Sequence, residues 1–321
     1  EISGVDAANF VQYLTCRDMS NCAVNQCKYA LLLNTEGGIV CDPIILRLEK
    51  NKFWISTSDC DLELWIKGVN VNSGLNVNIH DANVSLLQIQ GPKSSALLTK
   101  MFGEQISQLK YYWLKKLKFE DIDLIISRTG WSGELGYEIY LSEFDKGTYV
   151  FNQILEAGKE FSISVGAVNQ ARRIESGILS WGVDMSQNEN PFQVGLGRLV
   201  ETETRDNFIG KKAIIKLSKL KQKKVLVGMK LNTKNFLNNE TSWNIKKDSL
   251  IIGKLTSVSF SPRLKYNIGL GIIDTNYSKI GSKFIVEAYD ELVEAEVVPL
   301  PFMDKKQMVN ARELAKKFYS N

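Results

Sequence analysis

A chain of 321 residues, 44% hydrophobic and 24% charged, has the composition of an ordinary globular protein of about two domains, which excludes disordered and fibrous classes. Its 40 Lys and Arg nearly balance 36 Asp and Glu, and a net charge of +4 gives no reason to expect nucleic acid as a partner. No apolar run approaches the roughly 20 residues needed to span a bilayer, so no membrane partner is expected either.

In chain order, residues 6–14 read as a short helix, and residues 29–33 and 38–48 as strands across a Gly37-Gly38 turn. The second strand pairs with residues 52–57 across Glu49-Lys50-Asn51. Residues 59–69 read as a helix, 84–90 as a strand stopped by Gly91-Pro92, and 94–102 as an amphipathic helix. Strands are expected at 111–119, 124–128 and 137–141, and helices at 147–158 and 167–179. After a lysine-rich stretch ending near 224, which reads as a solvated helix and linker, short strands follow at 225–231, 249–259, 269–273, 283–288 and 294–299. That spacing suggests a small barrel or sandwich. Residues 305–319 read as a peripheral helix.

Several chemistries are disfavoured by residue count. The five cysteines (Cys16, Cys22, Cys27, Cys41, Cys60) contain no CxxC pair, and with a single histidine they argue against a zinc site; no metal is expected. They read as free thiols in a reducing cytoplasm. Any triad mechanism would depend on His80, which reads as a polar residue closing a strand. Gly195-Leu196-Gly197 lacks the third glycine of a dinucleotide fingerprint.

Three segments carry residues suited to chemistry. Alternation puts Val40, Asp42, Ile44, Leu46 and Leu48 on one strand face, so the Asp42 carboxylate lies among apolar side chains. A buried carboxylate must be hydrogen-bonded, paired or functional; a turn residue before Pro43 is the other reading. The segment 127–140 carries Gly130, Gly133 and Gly136 before an alternating strand that points Glu138 and Tyr140 away from Tyr137, Ile139 and Leu141. Such a carboxylate suits a flat heterocycle with N–H donors, such as a pterin or purine, or it simply faces solvent. In 171–184, helical spacing groups Val168, Ala171, Ile174 and Ile178, and Arg172 and Glu175 are spaced to pair. Trp54, Trp113, Trp131 and Trp181 are material for an onium-binding aromatic box, or for core.

In sequence order these segments resemble one family. Asn34-Thr35-Glu36-Gly37-Gly38-Ile39-Val40-Cys41-Asp42, residues 128–140, Arg173-Ile174-Glu175-Ser176-Gly177, residues 191–198 with Phe208-Ile209-Gly210-Lys211-Lys212, and Phe260-Ser261-Pro262-Arg263-Leu264-Lys265 are similar to the folate-binding aminomethyltransferase family. That family contains the glycine-cleavage T-protein and dimethylsulfoniopropionate demethylase. Asp42-Pro43, Trp131 and the run from Arg173 to Gly182 resemble the demethylase branch more closely, whereas Gly133-Glu134-Leu135-Gly136-Tyr137-Glu138 is nearer the T-protein form.

The resemblance implies an α+β fold: a T-protein-like three-subdomain ring with a C-terminal β-barrel. Residues 1–220 would form the folate- and substrate-binding body of two interleaved subdomains, and 221–321 the barrel. It implies that the chain is N-terminally truncated, since in the family residues 1–7 are preceded by further chain. It implies an enzyme using tetrahydrofolate, with Asp42 catalytic, Glu138 anchoring the pterin, and Tyr29, Arg173 and Trp181 lining the cofactor site. Trp131 and Trp113 are the expected substrate-binding aromatics. The expected reaction moves a methyl group from dimethylsulfoniopropionate or a similar methylated onium donor to tetrahydrofolate. The alternatives are aminomethyl transfer, with a lipoyl carrier protein as partner, or a non-catalytic folate binder; the KGCYxGQE-type motif of the latter class is absent, Asn207-Phe208-Ile209-Gly210-Lys211 standing in its place. A homodimer is the expected oligomer.

Overall fold

Four hydrophobic cores organise the body, and each is traced to the periodicity of the elements around it. The computed structural model describes residues 1–57, 60–203, 207–289 and 291–303. The first lobe begins with β1 (Ile2–Ser3) and α1 (Ala7–Leu14), whose Ala7, Phe10, Val11 and Leu14 form a buried stripe at helical spacing. Next come β2 (Cys27–Tyr29), β3 (Leu32–Leu33), β4 (Ile39–Cys41), β5 (Ile44–Glu49), β6 (Lys52–Ile55), α2 (Leu62–Asn70) and β7 (Asn78–Ile79). Five strands make an antiparallel sheet in the order β2-β5-β6-β1-β7, and β3 and β4 form a separate ribbon. Phe10, Val11, Ile45, Phe53, Leu62 and Ile66 fill the space between this sheet and its two helices.

The second lobe is a four-stranded antiparallel sheet in the order β8 (Ser85–Gln90), β11 (Gly136–Leu141), β10 (Ile122–Ser127), β9 (Leu114–Phe119). Helices α3 (Ser94–Phe102) and α4 (Gly147–Gly158) cover one face, burying Leu97, Leu98, Val150 and Ile154 against Leu124, Ile126, Tyr137 and Ile139. The other face meets the first lobe. There Cys27, Leu46, Leu48 and Trp54 pack on Leu114 and Tyr140, with the Trp54 and Tyr140 rings 5.8 Å apart.

Two short helices, α5 (Gln170–Glu175) and α6 (Lys211–Ser218), lead to the third lobe. Here β12 (Lys224–Asn232), β13 (Trp243–Lys247), β14 (Leu250–Ser261), β15 (Tyr266–Asp274), β16 (Lys283–Ala288) and β17 (Glu291–Val298) close into a barrel in the order β12-β15-β14-β13-β16-β17. Met229, Ile245, Leu255, Val286 and Ala295 are among the side chains filling it. Ile268 and Leu270 point outward and pack on Ile174, Leu179, Leu196 and Phe208, joining barrel to body. The expected α+β fold, with three lobes and a C-terminal barrel, is therefore the one observed.

Local expectations fail where backbone chemistry overrides periodicity. The strand expected over 38–48 is two, broken at Asp42-Pro43, because proline offers no N–H to a ladder. The helix expected over 167–179 is confined to Gln170–Glu175; Asn169 caps its start and Gly177, at φ +67°, ends it. The strand expected from 111 starts at Leu114, since Tyr112 has φ +61°. Strand β13 has no counterpart among the expected strands: Trp243 and Ile245 face inward, but the polar Asn244, Lys246 and Lys247 obscure the alternation. The helix expected over 305–319 lies outside the described residues. Among the described residues no helix is long and apolar enough to cross a membrane, and the five cysteines carry free thiols.

Candidate functional site

The two sheets pack on one another through Cys27, Leu46, Leu48, Trp54, Leu114 and Tyr140; Glu138 lies on β11 of the second sheet, and Asp42 on the link between β4 and β5. On β2, Cys27 packs in the core shared with the second lobe, and Tyr29, two residues on, packs against the core that joins body to barrel. Ile44 and Leu46 stand opposite them in register. Asp42 precedes this run by two residues and is half-buried; the Tyr29 hydroxyl donates to Asp42 Oδ2 at 3.0 Å. Ile44, Leu46 and Leu48 share one face as expected, but Val40, expected with them, packs in the first-lobe core, because the strand is broken at Asp42-Pro43. The opposite face is apolar as well, because Cys41 and Ile45 join the first-lobe core.

Burial, and then the neighbouring Asp42 charge, push the Tyr29 phenol well above its ordinary pKa, so Tyr29 is a hydrogen-bond donor at physiological pH. Arg17 Nη1 donates to the Tyr29 carbonyl at 2.7 Å. Burial likewise raises the pKa of Tyr112 beside it.

On the second sheet, Glu138 is only 8% exposed. Gln88, directly opposite in the β8–β11 register, donates Nε2 to Glu138 Oε1 at 2.8 Å. The hydroxyls of Thr129 and Tyr140 donate to Oε2, the latter at 3.1 Å. Oε1 therefore keeps acceptor capacity for a further N–H donor. This acceptor fits the N–H edge of a pterin. Burial, followed by the Glu138 charge, also raises the Tyr140 pKa.

The glycine-rich loop before β11 wraps a single amide. A Cβ at Gly130 or Gly136 would fall within 2.2–2.7 Å of the Gln90 side-chain amide, while Ser132 Oγ donates to Gln90 Oε1 at 2.7 Å. These glycines thus serve a close side-chain approach.

The remaining expected site residues are placed differently. Trp113 packs on the helix-covered face of the second sheet, opposite to Glu138; its neighbours Tyr112 and Leu114 take the side of the core shared with the first lobe instead. Arg173, expected to line the cofactor site, is buried and bonded within the protein. Its buried guanidinium donates to Gln170 Oε1 at 2.5 Å, Ile178 O at 3.2 Å, Asp184 Oδ2 at 2.7 Å and Ser257 Oγ at 2.6 Å. Every nitrogen is engaged within the protein, and the group clamps α5 to the barrel. Trp131 presents its ring to this guanidinium at 5.3 Å, so that aromatic face already holds a cation. Trp181 donates its indole N–H to Ile39 O at 2.9 Å and lines a groove of about 320 Å³ with Val40, Leu62, Trp65 and Gln187.

Sequence reading missed Gln88, Thr129 and Asp184. The alternation of Leu87 and Ile89 against Gln88 is a usable signal for the first. Asp184, fully buried, accepts from Ser180 N at 3.0 Å and from Thr256 and Ser257 Oγ at 2.6 Å each; its side-chain partners are 11 and more than 70 residues away, so its burial carries little local signal.

Residues 1–204 match the GCVT N-terminal domain, and residues 224–304 match the glycine cleavage T-protein C-terminal barrel domain. The chain belongs to the glycine cleavage T-protein family. It is 30% identical over 293 residues to dimethylsulfoniopropionate demethylase of Ruegeria pomeroyi, covering 90% of this chain and 79% of that protein. It is 31% identical over 310 residues to an aminomethyltransferase of Caldanaerobacter subterraneus, covering 95% and 82%. The fold is shared with glycine cleavage system aminomethyltransferase T from Bartonella henselae, at a TM-score of 0.81 over 94% of this chain and 82% of that one, with 22% identity. As a T-protein family member the chain is a one-carbon transferase with tetrahydrofolate as its cofactor.

Proposed function

We propose that the chain transfers a methyl group from dimethylsulfoniopropionate, or a similar methylated onium donor, to tetrahydrofolate bound between the two sheets. The observation that carries this reading is the half-buried Asp42 carboxylate, which accepts from the hydroxyl of Tyr29, itself packed against a core that also takes in Trp181 and Phe192. A negative charge among aromatic groups suits a compact cation. The single imidazole, His80, is exposed and lies 3.6 Å from Glu1, and neither Asp42 nor Glu138 is its ion-pair partner. That is no handicap for onium demethylation, because the donor is already activated and its leaving thioether is neutral.

Tetrahydrofolate, when bound, supplies the N5 amine that accepts the one-carbon unit. Glu138 would take the N–H edge of the pterin, kept in one orientation by Gln88, Thr129 and Tyr140. Asp42 would attract the donor cation and offset the charge that moves during transfer, while the protonated Tyr29 holds that carboxylate in place. The packed apolar residues Leu46, Trp54 and Leu114 would exclude water from one side. Positioning of two ligands in line can supply about 7–11 kcal/mol of barrier reduction.

Aminomethyl transfer from a lipoyl carrier protein is the second reading. It is favoured by the placement of Trp113 on the helix-covered face of the second sheet and by Arg173 occupying the Trp131 face, which together leave no cation box built from those two rings. In that reaction Asp42 would manage proton movement as ammonia leaves. The two readings separate by product. Incubation with tetrahydrofolate and dimethylsulfoniopropionate, followed by mass spectrometry, should yield methyltetrahydrofolate and methylthiopropionate. Product only from an aminomethyl-loaded lipoyl carrier, with ammonia and methylenetetrahydrofolate formed, would overturn the onium reading.

A further inference from the structure

We infer that Arg263, on the barrel, is a positioning residue for folate binding, acting on Glu138 through the glycine-rich loop; this rests on the reading that Glu138 holds the pterin. The inference begins with the loop itself. Glycines at 130, 133 and 136 give it more backbone freedom than other residues would, so an ordered resting geometry has to be imposed by contacts. Three such contacts are present, each from a different part of the molecule. Ser132 Oγ is tied to Gln90 on β8. Ser176 Oγ, at the end of α5, donates to Ser132 O at 3.4 Å. Arg263 Nη2 donates to Glu134 Oε1 at 2.6 Å, four residues before Glu138.

The barrel presents Arg263 from a braced turn. Lys265 N donates to Ser261 O at 2.7 Å and Leu264 N to Ser261 Oγ at 3.0 Å. Ser261 Oγ in turn donates to Glu175 Oε1 at 2.5 Å. Glu175, 1% exposed, also accepts from Arg172 Nη1 at 3.1 Å, and Arg263 Nη1 lies 3.9 Å from its second oxygen. Arg263 therefore bridges a buried carboxylate on α5 and a loop carboxylate, and the loop carboxylate is only 13% exposed. The pair is shielded from water on the Glu134 side, which strengthens it relative to an open surface pair. Ser132 Oγ further accepts from Glu134 N at 3.2 Å, so the residue that Arg263 holds is also the one that orders the start of β11.

The test measures tetrahydrofolate affinity by calorimetry in Arg263→Met, Glu134→Gln, Glu138→Gln and the Arg263→Met/Glu138→Gln double variant, with melting temperatures alongside. Arg263→Met and Glu134→Gln should each weaken binding by about tenfold, within the usual range of coupling between distinct sites, at nearly unchanged melting temperature. In the Glu138→Gln background, Arg263→Met should add little further loss, because its effect runs through Glu138. The charge-reversed pair Arg263→Glu/Glu134→Arg should recover part of the affinity. Unchanged affinity in Arg263→Met, with weakened binding in Glu138→Gln, overturns the positioning role alone. Unchanged affinity in Glu138→Gln overturns both the pterin reading and the inference built on it. Fully additive losses show that Arg263 acts independently of Glu138 and overturn it as well.

Discussion

Asp42 and Glu138 are the two carboxylates on which the proposed function rests, and their surroundings differ. Glu138 is surrounded by donors and is only 8% exposed, an environment that fixes a single orientation. Asp42 is half-buried, and Tyr29 places its hydroxyl on it at 3.0 Å. Asp42→Asn keeps the shape and an acceptor for the Tyr29 hydroxyl, so the fold should tolerate it. If the charge acts on the transferring group, turnover should drop by about 10²–10³, the cost of one removed electrostatic contact at about 2.7–4 kcal/mol. Equal turnover with an equal melting temperature would show that the charge has no chemical role. Glu138→Gln should weaken tetrahydrofolate binding by about 1.5–3 kcal/mol, the scale of a hydrogen bond to a charged group. Calorimetry reads this directly, and unchanged affinity would remove Glu138 from the pterin site.

Among the elements, the β3–β4 ribbon is the least tolerant, because another backbone crosses it. A Cβ on Gly38 would lie 1.9 Å from Gln187 O, and that carbonyl belongs to the chain and cannot swing aside. Gly38→Ala should cost about 1–3 kcal/mol or more by overpacking, read as a lower urea midpoint. Gly68 provides the contrast. It lies inside α2 with nothing within 4 Å of its would-be Cβ, so Gly68→Ala should stabilise by about 0.5–1 kcal/mol. If both variants shift the midpoint in the same direction, the close approach is not what demands glycine at position 38. The α5 helix holds together by other means: six residues long, it survives through Arg173 and Glu175, whose ion pairs and hydrogen bonds reach Asp184, Ser257 and Ser261. Helical periodicity over 167–179 could suggest its presence but not its length, since the ends are decided by the Asn169 cap and by Gly177.

For the molecule as a whole, buried phenols and thiols set a pH limit. Tyr29, Tyr112, Tyr140, Cys22 and Cys27 all have their pKa raised, burial being the first cause in each. A raised folded-state pKa contributes stability that is complete below the unfolded pKa and declines above it. The decline should therefore begin near pH 8.5 for the thiols and steepen above about pH 10 for the phenols, by up to about 1.4 kcal/mol per pH unit for each group. Lys28, whose pKa burial lowers, acts in the opposite sense but is outnumbered. Urea unfolding between pH 7 and 11 checks this; a flat profile above pH 9 would mean that these groups stay accessible to water. Tyr29→Phe should remove one part of the alkaline slope.

Several features of this molecule are written in short-range pattern and are legible without any fold. The helices Ser94–Phe102 and Gly147–Gly158, the hairpin around Lys50, the shared parity of Ile44, Leu46 and Leu48, and the outward turn of Glu138 from Tyr137 and Ile139 all follow from periods of 3.6 or 2. Packing of distant segments settles the rest, because the deciding partners are remote in the chain. Arg173 is bonded to Asp184 and Ser257, partners that its own helix does not announce. Trp113 and Leu114 are adjacent in sequence and point to opposite sides of a sheet, one to helices and one to the first lobe. Glu138 owes its orientation to Gln88, fifty residues earlier, and Glu134 is gripped from the barrel by Arg263, 129 residues later. Local pattern can say which way a side chain faces along its own strand; what waits on that side is set by which lobes pack together.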